Sequence, residues 1–189
     1  MSPNHHWLLA LFLSLPSITA TAAQPKPTWH LLMGAGSSHI GWGATYEHVT
    51  TRDLILRREI AENRLRGKGL YQSRRTILIE IPLHILVKPH EPPMLGLTVN
   101  SSWTFNLNGQ IQPYLFAGGG GLYTQAQIPG TSSEIKGVYQ AGGGLHFNQG
   151  EAQISLEVRY HHLSNGSVRQ PNDSLNSTKF LVGIKLPFF

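Results

Sequence analysis

Near its C-terminus the chain reads LEVRYHHLSNGSVRQPNDSLNSTKFLVGIKL, and two stretches of it alternate in polarity. In the first, Ala152, Ile154, Leu156, Val158 and Tyr160 share one parity, opposite Gln153, Ser155, Glu157 and Arg159. On a strand these sets point to opposite faces. His162 continues the apolar parity, and so does Ser164 if the chain stays extended. In the second stretch Phe180, Val182, Ile184, Leu186 and Phe188 share a parity with Asn176 and Thr178. The residue types fit one kind of chemistry. A serine hydroxyl is a poor nucleophile until a neighbouring base takes its proton, and histidine suits that task. A third group on the far imidazole nitrogen fixes the tautomer. A turn at Asn165 and Gly166 would aim backbone N–H groups at a developing oxyanion, and Pro171 and Asn172 favour a turn in the same loop. A polar rim at a water boundary would show the same H-x-S spacing, so spacing alone leaves a non-catalytic reading open.

The elements that position these residues are strands. No long stretch has helical periodicity, whereas period-two patterns recur. The clearest is TILIEIPLHILVK, where Ile77, Ile79, Ile81, Leu83, Ile85 and Val87 share a face and Glu80 and His84 lie on the other. Segments of this kind are expected at 29–37, 51–60, 75–88, 94–105, 110–124, 136–147, 151–162 and 176–188. The second is the weakest, because Arg57 and Arg58 interrupt it. Apolar residues outward with polar or small ones inward is the pattern of an outer-membrane barrel. The fold class is therefore all-β, an eight-stranded antiparallel barrel whose interior is just wide enough for side chains. The glycines of FAGGGG and AGGG relieve crowding there or allow bends. The turn-like NLNG and NQG fall on alternate connections, and 125–135 and 163–175 are longer, as for short periplasmic turns and longer external loops. The connection at 61–74 breaks this rule, since it is long and basic. Trp29, Trp42 and Trp103 suit membrane interfaces.

Composition narrows the alternatives. The chain has 189 residues and no cysteine, which fits one domain without disulfides. Residues 1–23 read as a secretory signal peptide: WLLALFLSL is too short to span a membrane as a helix and is followed by small residues. Residues 24–189 then form the barrel. The formal charge is +5, and eight of the fifteen Lys and Arg lie between Arg52 and Arg75. Export argues against nucleic acid as their partner, and an anionic lipid surface or plain solvation fits better. No histidine pair has ligand spacing, and His161 and His162 face opposite sides of their strand, so no metal is expected. The first rival to a catalytic barrel is a non-catalytic outer-membrane barrel with a structural or adhesive role; the second is a soluble exported β-sandwich that binds a ligand.

In a barrel the parity above sends His162, Ser164 and Asn176 outward, on adjacent antiparallel strands joined by the loop 163–175. Same-face residues of paired strands lie within side-chain reach, and polar groups facing hydrocarbon are costly enough to mark a functional site. The segment YHHLSNGSVRQPNDSLNS resembles the active-site segment of the PagL-type lipid A deacylases, outer-membrane esterases with a barrel fold. The signal, the strand plan, the Gly-rich fifth and sixth strands and the C-terminal phenylalanine agree with that family. The resemblance implies His162 as base, Ser164 as nucleophile, a site on the outside of the barrel, and hydrolysis of the 3-position acyl ester of lipid A in lipopolysaccharide. It implies no cofactor. Its setting would be the bacterial outer membrane and its partners lipopolysaccharide and membrane lipids. At the family's third catalytic position, an acidic one, this chain has Asn176, which can orient the ring but cannot stabilise an imidazolium by charge; Asp173 could assist, or catalysis could be lost. Tyr160 and Phe180, with Val158, would lie along the acyl chain, and Arg169 is positioned to meet a phosphate.

Overall fold

The computed structural model describes residues 25–40, 48–128 and 131–187. The expected signal peptide and the terminal Phe188 and Phe189 lie outside these residues. Eight antiparallel strands close into a barrel in sequence order: β1 (Thr28–Ser38), β2 (Thr50–Arg66), β3 (Ser73–Lys88), β4 (Met94–Phe105), β5 (Ile111–Tyr123), β6 (Ile135–Gln149), β7 (Ala152–Ser164) and β8 (Leu175–Leu186). Closure removes every free strand edge, so each backbone group of the wall can pair without water. β1 pairs with β8 as well as with β2, for example Leu32 opposite Gly183.

The alternation sorts side chains as expected. Ile81, Ile85 and Val87 of β3, Leu95, Leu97 and Val99 of β4 and Ile154, Leu156 and Val158 of β7 are exposed on the outer wall. Outward apolar surface of this kind faces hydrocarbon. Trp29 lies at the end that carries both termini, with the Arg58 guanidinium 5.7 Å above its ring.

The second strand corrects the expectation. β2 runs through Arg57 and Arg58 to Arg66, with a register irregularity against β3 between Ala61 and Leu65, and β3 already begins at Ser73. The connection expected at 61–74 shrinks to a turn at 67–72 that contains a short 3-10 helix, Gly69–Tyr71. It thereby joins the other short turns at the terminal end. Arg57 does not interrupt the strand because it faces the lumen, 1% exposed, where acidic partners neutralise it. Part of the basic run is therefore wall and interior. At the turn end Glu62 holds Arg66 and Arg75, each at 3.1 Å.

The lumen is filled in layers. At mid-height Glu80 accepts from Arg57 Nε at 2.8 Å and from both terminal nitrogens of Arg159 at 3.0 Å. Glu157 accepts from Arg57 at 2.5 Å, from the Tyr114 hydroxyl at 2.8 Å and from Arg159. Gln140, Asn100 and Thr98 complete the ring around Glu80. Higher up, Asp53 pairs with His84 at 2.6 Å and Lys179 at 2.9 Å. The end carrying the long loops is closed by an apolar cluster that includes Leu86, Met94, Leu122, Ile128, Leu163 and Leu175.

Glycines on β5 and β6 make room for these large interior groups. A Cβ on Gly144 would stand 2.2 Å from the Leu156 carbonyl oxygen and 2.7 Å from the Tyr114 hydroxyl. Gly144→Ala is expected to lower stability by about 2 kcal/mol, the usual scale of overpacking. Urea unfolding in detergent, read as a fall in the midpoint at unchanged slope, checks this.

Candidate active site

β7 carries the expected pair past the point where the sequence left the strand. It stays extended to Ser164, so His162 and Ser164 share the outward face. Consecutive same-face residues of a strand are about 7 Å apart at their Cα atoms. Both side chains are half-buried, whereas the intervening Leu163 is buried in the lumen cluster and His161 faces inward. The inward neighbours thus fix the roll of the strand, and that roll leaves the imidazole and the hydroxyl on the outside.

Register supplies the third member. His162 lies directly opposite Asn176 on β8, and His162 Nδ1 is 2.7 Å from Asn176 Oδ1. An amide oxygen can only accept, so Nδ1 carries the proton and Nε2 presents a lone pair. That is the tautomer a general base needs. Asn176 itself is buried, although it sits on the outward parity, because its neighbours cover it. The Tyr160 hydroxyl also donates to Asn176 Oδ1. On the β6 side the Tyr139 ring lies 6.1 Å from the His162 ring, and Gly137 stands opposite Ser164, leaving the serine side open. Among the described residues no hydrogen bond joins Ser164 to His162. Such bonds are often long before substrate arrives.

Residues expected around this core divide. The Asn165 N–H, expected to face an oxyanion, instead donates to Asn172 Oδ1 at 2.8 Å. The Asn165 side chain is buried and acts as a hub: its Nδ2 donates to the Arg169 carbonyl at 2.6 Å and to the Ser132 carbonyl at 2.7 Å. It fastens the β7–β8 loop to the β5–β6 loop, and a bridge between Thr131 and Asn172 adds to that joint. The reason is parity, since Asn165 continues the inward face of β7. Gly166 is exposed with φ 64°, a left-handed turn that glycine adopts freely. Arg169 is exposed on the loop. Tyr160 faces outward as expected, with its hydroxyl turned to Asn176.

Phe180 is 64% exposed on the outer wall and separates two open grooves. One, of about 550 Å³, runs beside Ala35, Ser37, His39, Val87 and Thr178. The other, of about 450 Å³, is mostly apolar and lies among Met33, Leu145, Leu156, Val158 and Val182. His162 and Ser164 line neither groove; the first comes nearest to them through His39 and Thr178, which lie beside Asn176 and Tyr160.

His39, just past β1, is the residue that sequence reasoning missed. Its N–H donates to the Asn176 carbonyl at 2.9 Å, its Nε2 lies 2.9 Å from Thr178 Oγ1, and its ring is 5.9 Å from that of Tyr160. Nothing local in GSSHIG signals this, because the contact exists only once β1 closes on β8.

Three comparisons bear on this geometry. The sequence model for lipid A 3-O-deacylase (PagL) matches residues 79–185, a span that contains His162, Ser164 and Asn176. The crystal structure of the outer membrane enzyme PagL is similar with a TM-score of 0.63 at 20% identity, over 84% of this chain and 98% of that one. Neisserial surface protein A is similar with a TM-score of 0.61 at 11% identity, over 86% of this chain and 97% of that one. No curated protein sequence matches this chain.

Proposed function

The chain belongs to the lipid A 3-O-deacylase (PagL) family, and from that premise we propose that it is a serine esterase removing the 3-O acyl chain of lipid A at the outer surface of the outer membrane. The observation that carries the reading is the His162 Nδ1–Asn176 Oδ1 bond on the lipid-facing wall, with Ser164 next on the same face. Residues 1–23 serve as the export signal in this reading.

Lipid A enters with its ester at the rim and its acyl chain in the grooves flanking Phe180, so the reacting carbonyl need not leave the membrane. Ser164 Oγ attacks that carbonyl while His162 Nε2 takes the hydroxyl proton. The Gly166 N–H, at the turn beside Ser164, meets the oxyanion. Collapse of the tetrahedral adduct breaks the bond to the sugar oxygen, which leaves with the proton from His162. Water, deprotonated by the same nitrogen, then releases the fatty acid and restores Ser164. Asn176 orients the ring throughout but adds no charge to balance the imidazolium. Arg169, on the exposed loop, meets a sugar phosphate.

Incubation of the purified protein with lipopolysaccharide, followed by mass spectrometry of lipid A, tests this. One hydroxyacyl mass is lost if the reading holds, whereas intact lipid A would identify a non-catalytic barrel. Asn176→Ala is expected to lower turnover about tenfold or more by freeing the wrong tautomer, and Asn176→Glu to preserve or raise it through charge. Equal rates for wild type and Asn176→Ala would remove Asn176 from the mechanism.

A further inference from the structure

A carboxamide has two unlike ends, and this site works with only one of them turned toward the base. With Oδ1 toward His162 the ring is protonated on Nδ1 and Nε2 is free to accept a proton. Rotated by half a turn, Asn176 would offer Nδ2–H to Nδ1, the ring proton would sit on Nε2, and Ser164 would have no acceptor. A carboxylate at this position would not face the problem, since its two oxygens are alike. An orienting asparagine therefore needs something that reads the difference between its ends.

We infer that Tyr160 is one such element, a positioning residue whose hydroxyl helps hold the Asn176 carboxamide oxygen-first toward His162. Its hydroxyl donates to the same Oδ1 that accepts from His162 Nδ1. A phenol, with a pKa of about 10, is a better donor than acceptor, so it favours the oxygen end of the amide. The ring is held in place for this task. It stands on the outward face of β7 opposite Thr178, and the His39 ring, tied to Thr178 Oγ1 at 2.9 Å, lies 5.9 Å from it. The His39 N–H clamps the Asn176 carbonyl at 2.9 Å, so the backbone from which the amide hangs is fixed too. Tyr160 thereby acts through Asn176 and not on the acyl chain. The inference rests on His162 being the base of the reaction proposed above.

Four forms in detergent–lipopolysaccharide micelles test it by initial rates of fatty-acid release: wild type, Tyr160→Phe, Asn176→Asp and the double variant, with Ser164→Ala as control. Gel mobility with and without heating confirms that each is folded. Tyr160→Phe is expected to lower kcat about tenfold with KM within twofold of wild type. In the Asn176→Asp background the same replacement should cost less than about threefold, because an isosteric carboxylate has no wrong end. An equal loss in both backgrounds would make Tyr160 a packing residue and overturn the inference, as would an unchanged kcat or a loss expressed in KM alone. Wild type no faster than Ser164→Ala would instead overturn the serine-esterase reading, and with it the inference.

Discussion

Ser164→Ala should leave lipid A with all its acyl chains while the barrel folds as before. The expected fall in rate is about 10³-fold or more, the scale seen when a nucleophile is removed from a unit that includes its base. His162→Ala should fall as far, and the two replacements together should be no worse than either one, since a base without its nucleophile has nothing to deprotonate. Folding should be indifferent to the serine change. The side chain is half-buried on the outer wall and makes no hydrogen bond among the described residues, so stability should move by less than about 0.5 kcal/mol. The readouts are mass spectrometry of lipid A and the urea midpoint in the same preparations. Residual activity within tenfold of wild type in Ser164→Ala would assign the nucleophile elsewhere, and a barrel that no longer folds would show that the hydroxyl has a structural duty.

The second large effect is expected far from that surface. Glu80 is fully buried and serves both Arg57 and Arg159. The mid-height layer balances two guanidinium groups against the carboxylates of Glu80 and Glu157. Glu80→Ala leaves Arg159 with Glu157 alone, and Arg57 with that same Glu157 and the more distant Glu59 at 3.7 Å, inside a wall wrapped in hydrocarbon. Breaking a buried pair by removing one partner typically costs about 3–5 kcal/mol, more than the pair itself contributes over an apolar replacement. The two variants Glu80→Ala and Glu80→Leu/Arg159→Met separate these quantities. The single variant should lose about 3–5 kcal/mol in urea unfolding from detergent or vesicles, and the double one distinctly less, because charge is again balanced. A loss under about 1 kcal/mol for Glu80→Ala would mean that water or rearranged neighbours satisfy the arginines. Deacylation by whatever fraction remains folded should be near normal, since the reacting groups face the opposite side of the wall.

β7 alternates between an inner and an outer task. Glu157, Arg159 and His161 build the lumen, while Val158, Tyr160, His162 and Ser164 make the surface that meets lipid. A strand that slipped by one residue would exchange the two sets. The mid-height layer, held to β2 and β3 by ion pairs, therefore also sets which residues reach the site.

By itself the sequence determined the strand character, the outward face and the pair at 162 and 164. These depend on a period of two, which is local and needs no partner to be read. The number of strands and the short turns at NLNG and NQG followed from the same pattern with turn chemistry added, whereas the β2–β3 connection did not. Tertiary structure alone decided the rest. Arg57 looked like an interruption in β2 because its neutralising partners, Glu80 and Glu157, lie 23 and 100 residues away, and no window along the chain brings them together. The turn at 67–72 looked like a long loop for the same reason, since β2 and β3 are held by each other and not by their own apolar content. Asn176 could be placed near His162 from the sequence, but only the register made them direct partners, and only closure of β1 onto β8 brought His39 to cover them. Asn165 took a structural duty where a catalytic one was expected, because the parity that turns Ser164 outward turns its neighbour in.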